Sequence, residues 1–166
     1  MADFVAVVLR FFHILFGIAW IGAVAFGVGV LRRAMANVEP PARKAAMRRI
    51  IPVVIQYVPG SAVMTILTGA LLYGWMGGFD PNLLIGSAWG LVLLTALVLA
   101  VTAFAIGMLV GVRSAKRILR HLEEESCTHQ PEVGGLQTRF NQTQFIVLGL
   151  GLAIIALMVI ATTKSI

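Results

Sequence analysis

The sequence predicts an all-α integral membrane protein: a four-transmembrane-helix bundle with both termini outside and two basic cytoplasmic loops. Three observations lead there. Hydrophobic residues make up 59% of the 166 and charged residues only 12%, too apolar for a soluble domain and too short a chain to hide that surface in one core. The apolar residues fall into four runs, approximately 4–31, 50–76, 84–112 and 145–161, each within or above the range of about 17–25 residues that crosses a hydrocarbon core. The lysines and arginines cluster between runs one and two and between runs three and four. We read residues 1–166 as one membrane domain whose main surroundings are a lipid bilayer. The net charge of +6 belongs to loops flanking apolar runs, so no nucleic acid is expected as a partner.

The first run contains one charged residue, Arg10, near its first end, where a long side chain can snorkel to the headgroups or take part in a site. Met1-Ala2-Asp3 carries an acid where a signal peptide would be basic, so the run is expected to be retained. At about 100° per residue, Arg10, His13, Gly17, Trp20, Val24 and Gly27 share one narrow face. His13 is an ionisable ring in an apolar run, and Gly17 one turn on leaves room for something flat. After Arg32-Arg33 comes a loop whose Pro40-Pro41 ends one helix and suits the first turn of the next. Its basic residues Arg43, Lys44, Arg48 and Arg49 lie along the membrane surface as a cluster of the kind anionic headgroups attract, and a solvated loop is the expectation.

Run two should be bent by Pro52 and Pro59-Gly60, with Gln56, Tyr57, Thr65, Thr68 and Gly69 turned toward the bundle interior. Tyr73, Trp75 and Phe79 mark an interface before the turn Gly77-Gly78-Phe79-Asp80-Pro81. In run three, Gly86-Ser-Ala-Trp89-Gly90 and Gly107-Met-Leu-Val-Gly111 are small-xxx-small patterns suited to close helix contact. A solvated, salt-bridged extension from Arg113 to Glu125 is expected beyond it. The segment Ser126–Gly135 should break the helix. Leu136 and Phe140 then lead into run four, with Gln137, Asn141, Gln142 and Gln144 near the membrane surface and Gly149 and Gly151 allowing close packing. The basic loops fix both termini outside and put His13, Trp75 and Trp89 in the outer half. His121 and His129 fall on the cytoplasmic side.

A histidine inside a membrane helix can ligate haem or a metal, relay protons, or bond to a neighbouring helix. No second histidine stands in any span, so a bis-histidine haem within one chain is excluded. Met64, near mid-depth on run two, is the best internal second ligand, although methionine is ordinarily packing filler. Copper would need more histidine or methionine ligands converging than can be placed. One cysteine, Cys127, rules out an intrachain disulfide and a thiolate-rich zinc or iron–sulfur site. No haem-attachment motif, P-loop or nucleophile elbow is present, so there is no self-contained catalytic constellation.

Phe12-His13-Ile-Leu-Phe-Gly17-Ile-Ala-Trp20-Ile-Gly22 resembles the first helix of a group of small bacterial membrane proteins with an H-x3-G-x2-W-x-G signature. The group includes copper-resistance D-like proteins, the membrane domain of cytochrome-c-fused urate oxidases, and HemJ-type protoporphyrinogen oxidases. Thr65 to Tyr73 looks like its second helix. The resemblance implies a small helical bundle in the inner membrane and, in the HemJ-type branch, a haem b held by the histidine that maps to His13. That branch also uses a lysine in a later span, whereas no lysine stands here between Lys44 and Lys116. Two functions therefore stand side by side. One is a haem b-binding or redox-linked subunit using His13, with Gly17, Trp20, Arg10 and Met64 around the cofactor. The other is an accessory subunit of a homo-oligomer or larger membrane complex, with His13 only bonded between helices.

Overall fold

The computed structural model of the chain describes residues 2–123 and 130–163, all helical apart from short connections. Helix α1 (Ala2–Phe26) runs through a π-helical segment, Gly27–Leu31, into α2 (Arg32–Ala36). Then come α3 (Pro40–Met76), the short α4 (Pro81–Gly86), and α5 (Ala88–Ile106), which passes through a second π segment, Gly107–Val112, into α6 (Arg113–Glu123). The last helix is α7 (Gln130–Thr163). Four stretches are long and apolar enough to cross a membrane: Phe4–Ala36, Pro40–Met76, Ala88–Glu123 and Gly134–Thr162. The expected all-α bundle with four spans is present, and the chain is a multi-pass membrane protein.

Its surface is built for lipid. Phe4, Phe11, Ile14, Ile18, Val101 and Ile155 are exposed, while Ala62, Ala96, Ala100, Ala103 and Gly111 are buried. Lipid tails are as apolar as leucine, so spanning helices associate through close packing of small residues rather than by hiding large ones. Helix α1 packs antiparallel on α3, pairing His13 with Gly69 and Gly17 with Thr65. Val24 and Val58 join the same core farther along. Helices α5 and α7 do likewise. A Cβ built on Gly107 would meet the Val147 methyl at 4.0 Å, and one on Gly111 the Thr143 methyl at 3.4 Å. Gly107-xxx-Gly111 is therefore a packing face, as expected. Replacing Gly111 by leucine should separate α5 from α7 and destabilise the bundle by about 1–3 kcal/mol, read by denaturant unfolding in detergent. Equal stability of Gly111→Leu and wild type would refute that contact.

Gly86 and Gly90 serve differently. A Cβ on Gly90 would run into the Leu83 and Leu84 carbonyl oxygens, so this pattern accommodates a chain turn and not a neighbouring helix. Ser87 caps α5, its Oγ accepting from Gly90 N at 2.9 Å, and Asp80 caps α4, accepting from Asn82 N at 2.9 Å. Phe79 takes a left-handed conformation (φ 56°) after Gly78 (φ 59°). It is held by its N–H donating to the Gly74 carbonyl at 2.9 Å and by its ring lying on Gly74. Tyr73 donates its hydroxyl to Leu84 O at 2.6 Å and packs on Trp89, centroids 6.2 Å apart.

Several boundaries depart from expectation. Helix α3 begins at Pro40, with Pro40 and Pro41 in its first turn, so most of the basic loop is helix. Pro52 and Pro59 lie inside α3, which runs through both as the expected second span does. Gln56 and Tyr57 are exposed rather than turned inward. Helix α6 is not solvated on all sides: Ser114, Ala115 and Ile118 are buried, and a second small core forms from Ile51, Ala115, Ile118 and Leu136. Its outward face keeps Arg113, Lys116, Arg117 and Arg120, so its charge pattern was a one-sided one. Arg48 Nε closes this region by donating to Leu122 O at 2.6 Å, satisfying a carbonyl near the end of α6. Helix α7 is helical from Gln130 through Pro131 and Gly134-Gly135, the second part of the segment expected to break the helix; its first part, 126–129, lies outside the described residues. Glu124, Glu125, Cys127 and His129 lie outside the described residues.

Candidate functional site

The face of α1 that carries His13 is the face packed on α3. Trp20 and Val24 are buried, and His13, Gly17 and Gly27 half-buried. His13 reaches across to α3, where its Nδ1–H donates to the Thr65 carbonyl oxygen at 3.0 Å. Helical carbonyls normally serve only their own helix, but this one has help. Ser61, Thr65 and Thr68 each return a hydroxyl to a carbonyl one turn back: Ser61 to Tyr57 O at 2.8 Å, Thr65 to Ser61 O at 2.8 Å, and Thr68 to Met64 O at 2.6 Å. Thr68 also lies 3.2 Å from Thr65 O. The hydroxyl ladder satisfies the buried side-chain oxygens of α3 locally, and Thr65 O, the point of contact with α1, accepts from both Thr68 Oγ1 and His13 Nδ1. With Nδ1 as donor, a neutral ring presents its Nε2 lone pair.

Glycine 69 makes the approach possible. A Cβ there would stand 2.8 Å from the ring's Cε1 and 3.0 Å from Nδ1, closer than the ring could tolerate in place. Gly17 also allows close approach, but the room it leaves is taken by the Thr65 methyl, 3.8 Å from where a Gly17 Cβ would be. The expected flat guest at Gly17 is thus met by a side chain of α3. Arg10 is exposed and reaches the far end of α3, its guanidinium 3.6 Å from the Met76 sulfur.

Trp20 stands apart from the ring of His13 in role. It is 3% exposed and lies in a core shared with Ala62 of α3, Ala100 and Ala103 of α5, and Val147 of α7. It also borders an apolar crevice of about 50 Å³ lined by Val58, Gly107 and Thr143 among others, room for water at most. Met64 is 40% exposed on the outer side of α3. Of the five residues named from the sequence, His13 and Gly17 share the α1–α3 seam, Trp20 anchors the bundle centre, and Arg10 and Met64 sit on its outer surface. Thr65 and Gly69, which complete the setting of His13, were visible only as polar and small residues of the second run. The signal that finds them is the antiparallel register, which puts His13 beside Gly69 once Gly17 is set beside Thr65.

Among the described residues no three of His, Cys, Asp or Glu gather as a metal-binding group. The donor set at this seam is one imidazole, which fits axial ligation of haem and does not fit a copper site. The chain matches no protein-family model, no curated protein and no solved structure.

Proposed function

We propose that this multi-pass membrane protein is a haem b-binding, redox-linked subunit in which His13 Nε2 supplies one axial ligand. The observation that supports this reading most is the Nδ1–H bond to Thr65 O. A ligating histidine commonly donates its other ring N–H to a carbonyl, which holds the tautomer, orients the ring and makes the ligating nitrogen more basic. The half-buried ring, the α3 carbonyl behind it and Gly69 against its side are this chain's contribution. Haem, when bound, supplies one-electron chemistry. Met64 and Trp20 have no part in this version of the site. The protein sits in the bacterial inner membrane with its basic loops in the cytoplasm, both termini outside and His13 in the outer half.

The test is a visible spectrum of protein purified in mild detergent, with and without added haem b. A Soret band in the wild type that His13→Ala abolishes is the expected result. Absence of the band after haem addition, or a band unchanged in His13→Ala, overturns the assignment.

A second reading has its own support in the Thr65 methyl beside Gly17 and the tight seat at Gly69. Here His13 only clamps α1 to α3 in an accessory subunit. Its hydrogen bond is then worth about 0.6 kcal/mol, and no more than about 1.7 kcal/mol, the range for interhelical polar contacts in membranes. A stable lone monomer after mild extraction would count against the accessory role.

A further inference from the structure

A long groove opens at the basic end of the bundle, remote from His13. Its volume is about 930 Å³, near the upper end of ordinary ligand sites. One wall is the end of α1, the π segment and α2, another is α3 from Pro40 to Val58, and the rest is Ala115, Ile118 and Leu122 of α6 with the start of α7. From Val58 to Met47 the lining is mostly apolar, with Phe26, Leu31, Val54 and Phe145 facing it. At its mouth it is cationic, with Arg32, Arg43 and Lys44. Among the described residues, no acidic one lines it. Arg32 is held there by stacking its guanidinium 5.3 Å from the centre of the Phe145 ring. Among the described residues, neither Arg32 nor Arg43 has a carboxylate partner.

The dimensions suit one leaflet. Arg43 to Tyr57 is 14 helical steps, about 21 Å at 1.5 Å per residue, and half of a bilayer with its headgroups is about 20–22 Å. The π segment contributes to the space: a Cβ added to Gly27 would meet no atom within 4 Å. An apolar slot as long as a leaflet, closed by two guanidinium groups that meet no carboxylate among the described residues, is complementary to a molecule with long hydrocarbon chains and an anionic head. Basic pockets between membrane helices recognise anionic lipid headgroups on this physical basis, and arginine suits phosphate because its fork can donate two bonds at once.

We propose that this groove is a binding site for an anionic glycerophospholipid, its acyl chains lying between α1 and α7 and its phosphate held by Arg32 and Arg43. The site is independent of any haem at His13.

The experiment uses the full chain, purified and delipidated in mild detergent, titrated with dioleoylphosphatidylglycerol or dioleoylphosphatidylcholine and followed by native mass spectrometry. The wild type should retain phosphatidylglycerol in preference to phosphatidylcholine. The double variant Arg32→Gln/Arg43→Gln should lose that preference, with affinity for phosphatidylglycerol falling roughly 30-fold for two charges. Gly27→Leu, which fills the slot and leaves the charges, should lose binding of both lipids. Arg33→Gln/Arg49→Gln removes two exposed charges outside the groove and should bind as the wild type does. Equal retention of the two lipids, loss in the Arg33/Arg49 control to the same degree as in the groove variant, or a dimer that excludes lipid from the wild type would each overturn the proposal.

Discussion

Trp20→Ala is expected to destabilise the bundle more than any other single truncation, by about 3–5 kcal/mol. The indole, on α1, is 3% exposed and joins buried residues from the other three spanning helices: Ala62 of α3, Ala100 and Ala103 of α5, and Val147 of α7. Three of the buried residues in its core are alanines, whose methyls are too short to fill the void. In lipid the loss is mainly of dispersion contacts, because apolar surface gains little by leaving hydrocarbon. Trp75, 41% exposed at the rim of α3, provides the control, and Trp75→Ala should change stability by less than about 0.5 kcal/mol. Both are measured by reversible unfolding in mixed detergent and denaturing surfactant. Similar losses for the two tryptophans would mean that Trp20 is not the point where the helices converge.

Gly69→Ala should displace His13, whereas Gly17→Ala should not disturb it. The added methyl at position 69 would lie 2.8 Å from the ring and that at position 17 would lie 3.8 Å from the Thr65 methyl, the first an overlap and the second an ordinary contact. Overpacking typically costs about 1–3 kcal/mol. At position 69 it also breaks the Nδ1–H bond to Thr65 O, while Gly17→Ala should stay within about 0.5 kcal/mol of wild type. If haem is ligated by His13, Gly69→Ala should weaken its retention and Gly17→Ala should leave the Soret band in place. Under the clamp reading the stability difference remains and no band accompanies it. Equal stability of the two alanine variants would contradict the α1–α3 register itself, whatever His13 does.

The comparison between the two glycines shows where sequence reading reached its limit. A 3.6-residue period placed Arg10, His13, Gly17, Trp20 and Val24 on one face, and from His13 to Val24 that face does meet α3. Periodicity says which residues share a face and is silent about what stands opposite. Gly17 therefore looked like room for a guest, and only the antiparallel register put a threonine methyl there. Trp20 looked like a cofactor neighbour for the same reason. Its burial follows from three alanines on two other helices, which no local pattern in the first span reveals.

The basic segments show the complementary limit. Runs of arginine and lysine look solvated whenever their spacing is judged against charge alone. Yet α6 interleaves Ala115, Ile118 and Leu122 with its charges, and the region after Pro40 does the same with Met47 and Ile51. These short apolar stripes pack only because α3, α6 and the start of α7 extend past the four apolar runs at the same end. The groove above them forms between elements far apart in the chain, so Arg32 and Arg43 acquire a common mouth through folding alone.

The amino-acid sequence by itself determined the four spans, the segregation of basic residues to one end, and the isolation of His13 in an apolar helix. Those follow from local quantities: hydrophobic length, charge position and helical period. Only the tertiary structure decided that Thr65 and Gly69 receive the imidazole, that Trp20 belongs to the centre of the bundle, and that Arg32 and Arg43 border an apolar slot. Each of these depends on the register between helices, which is set by where small residues let backbones approach.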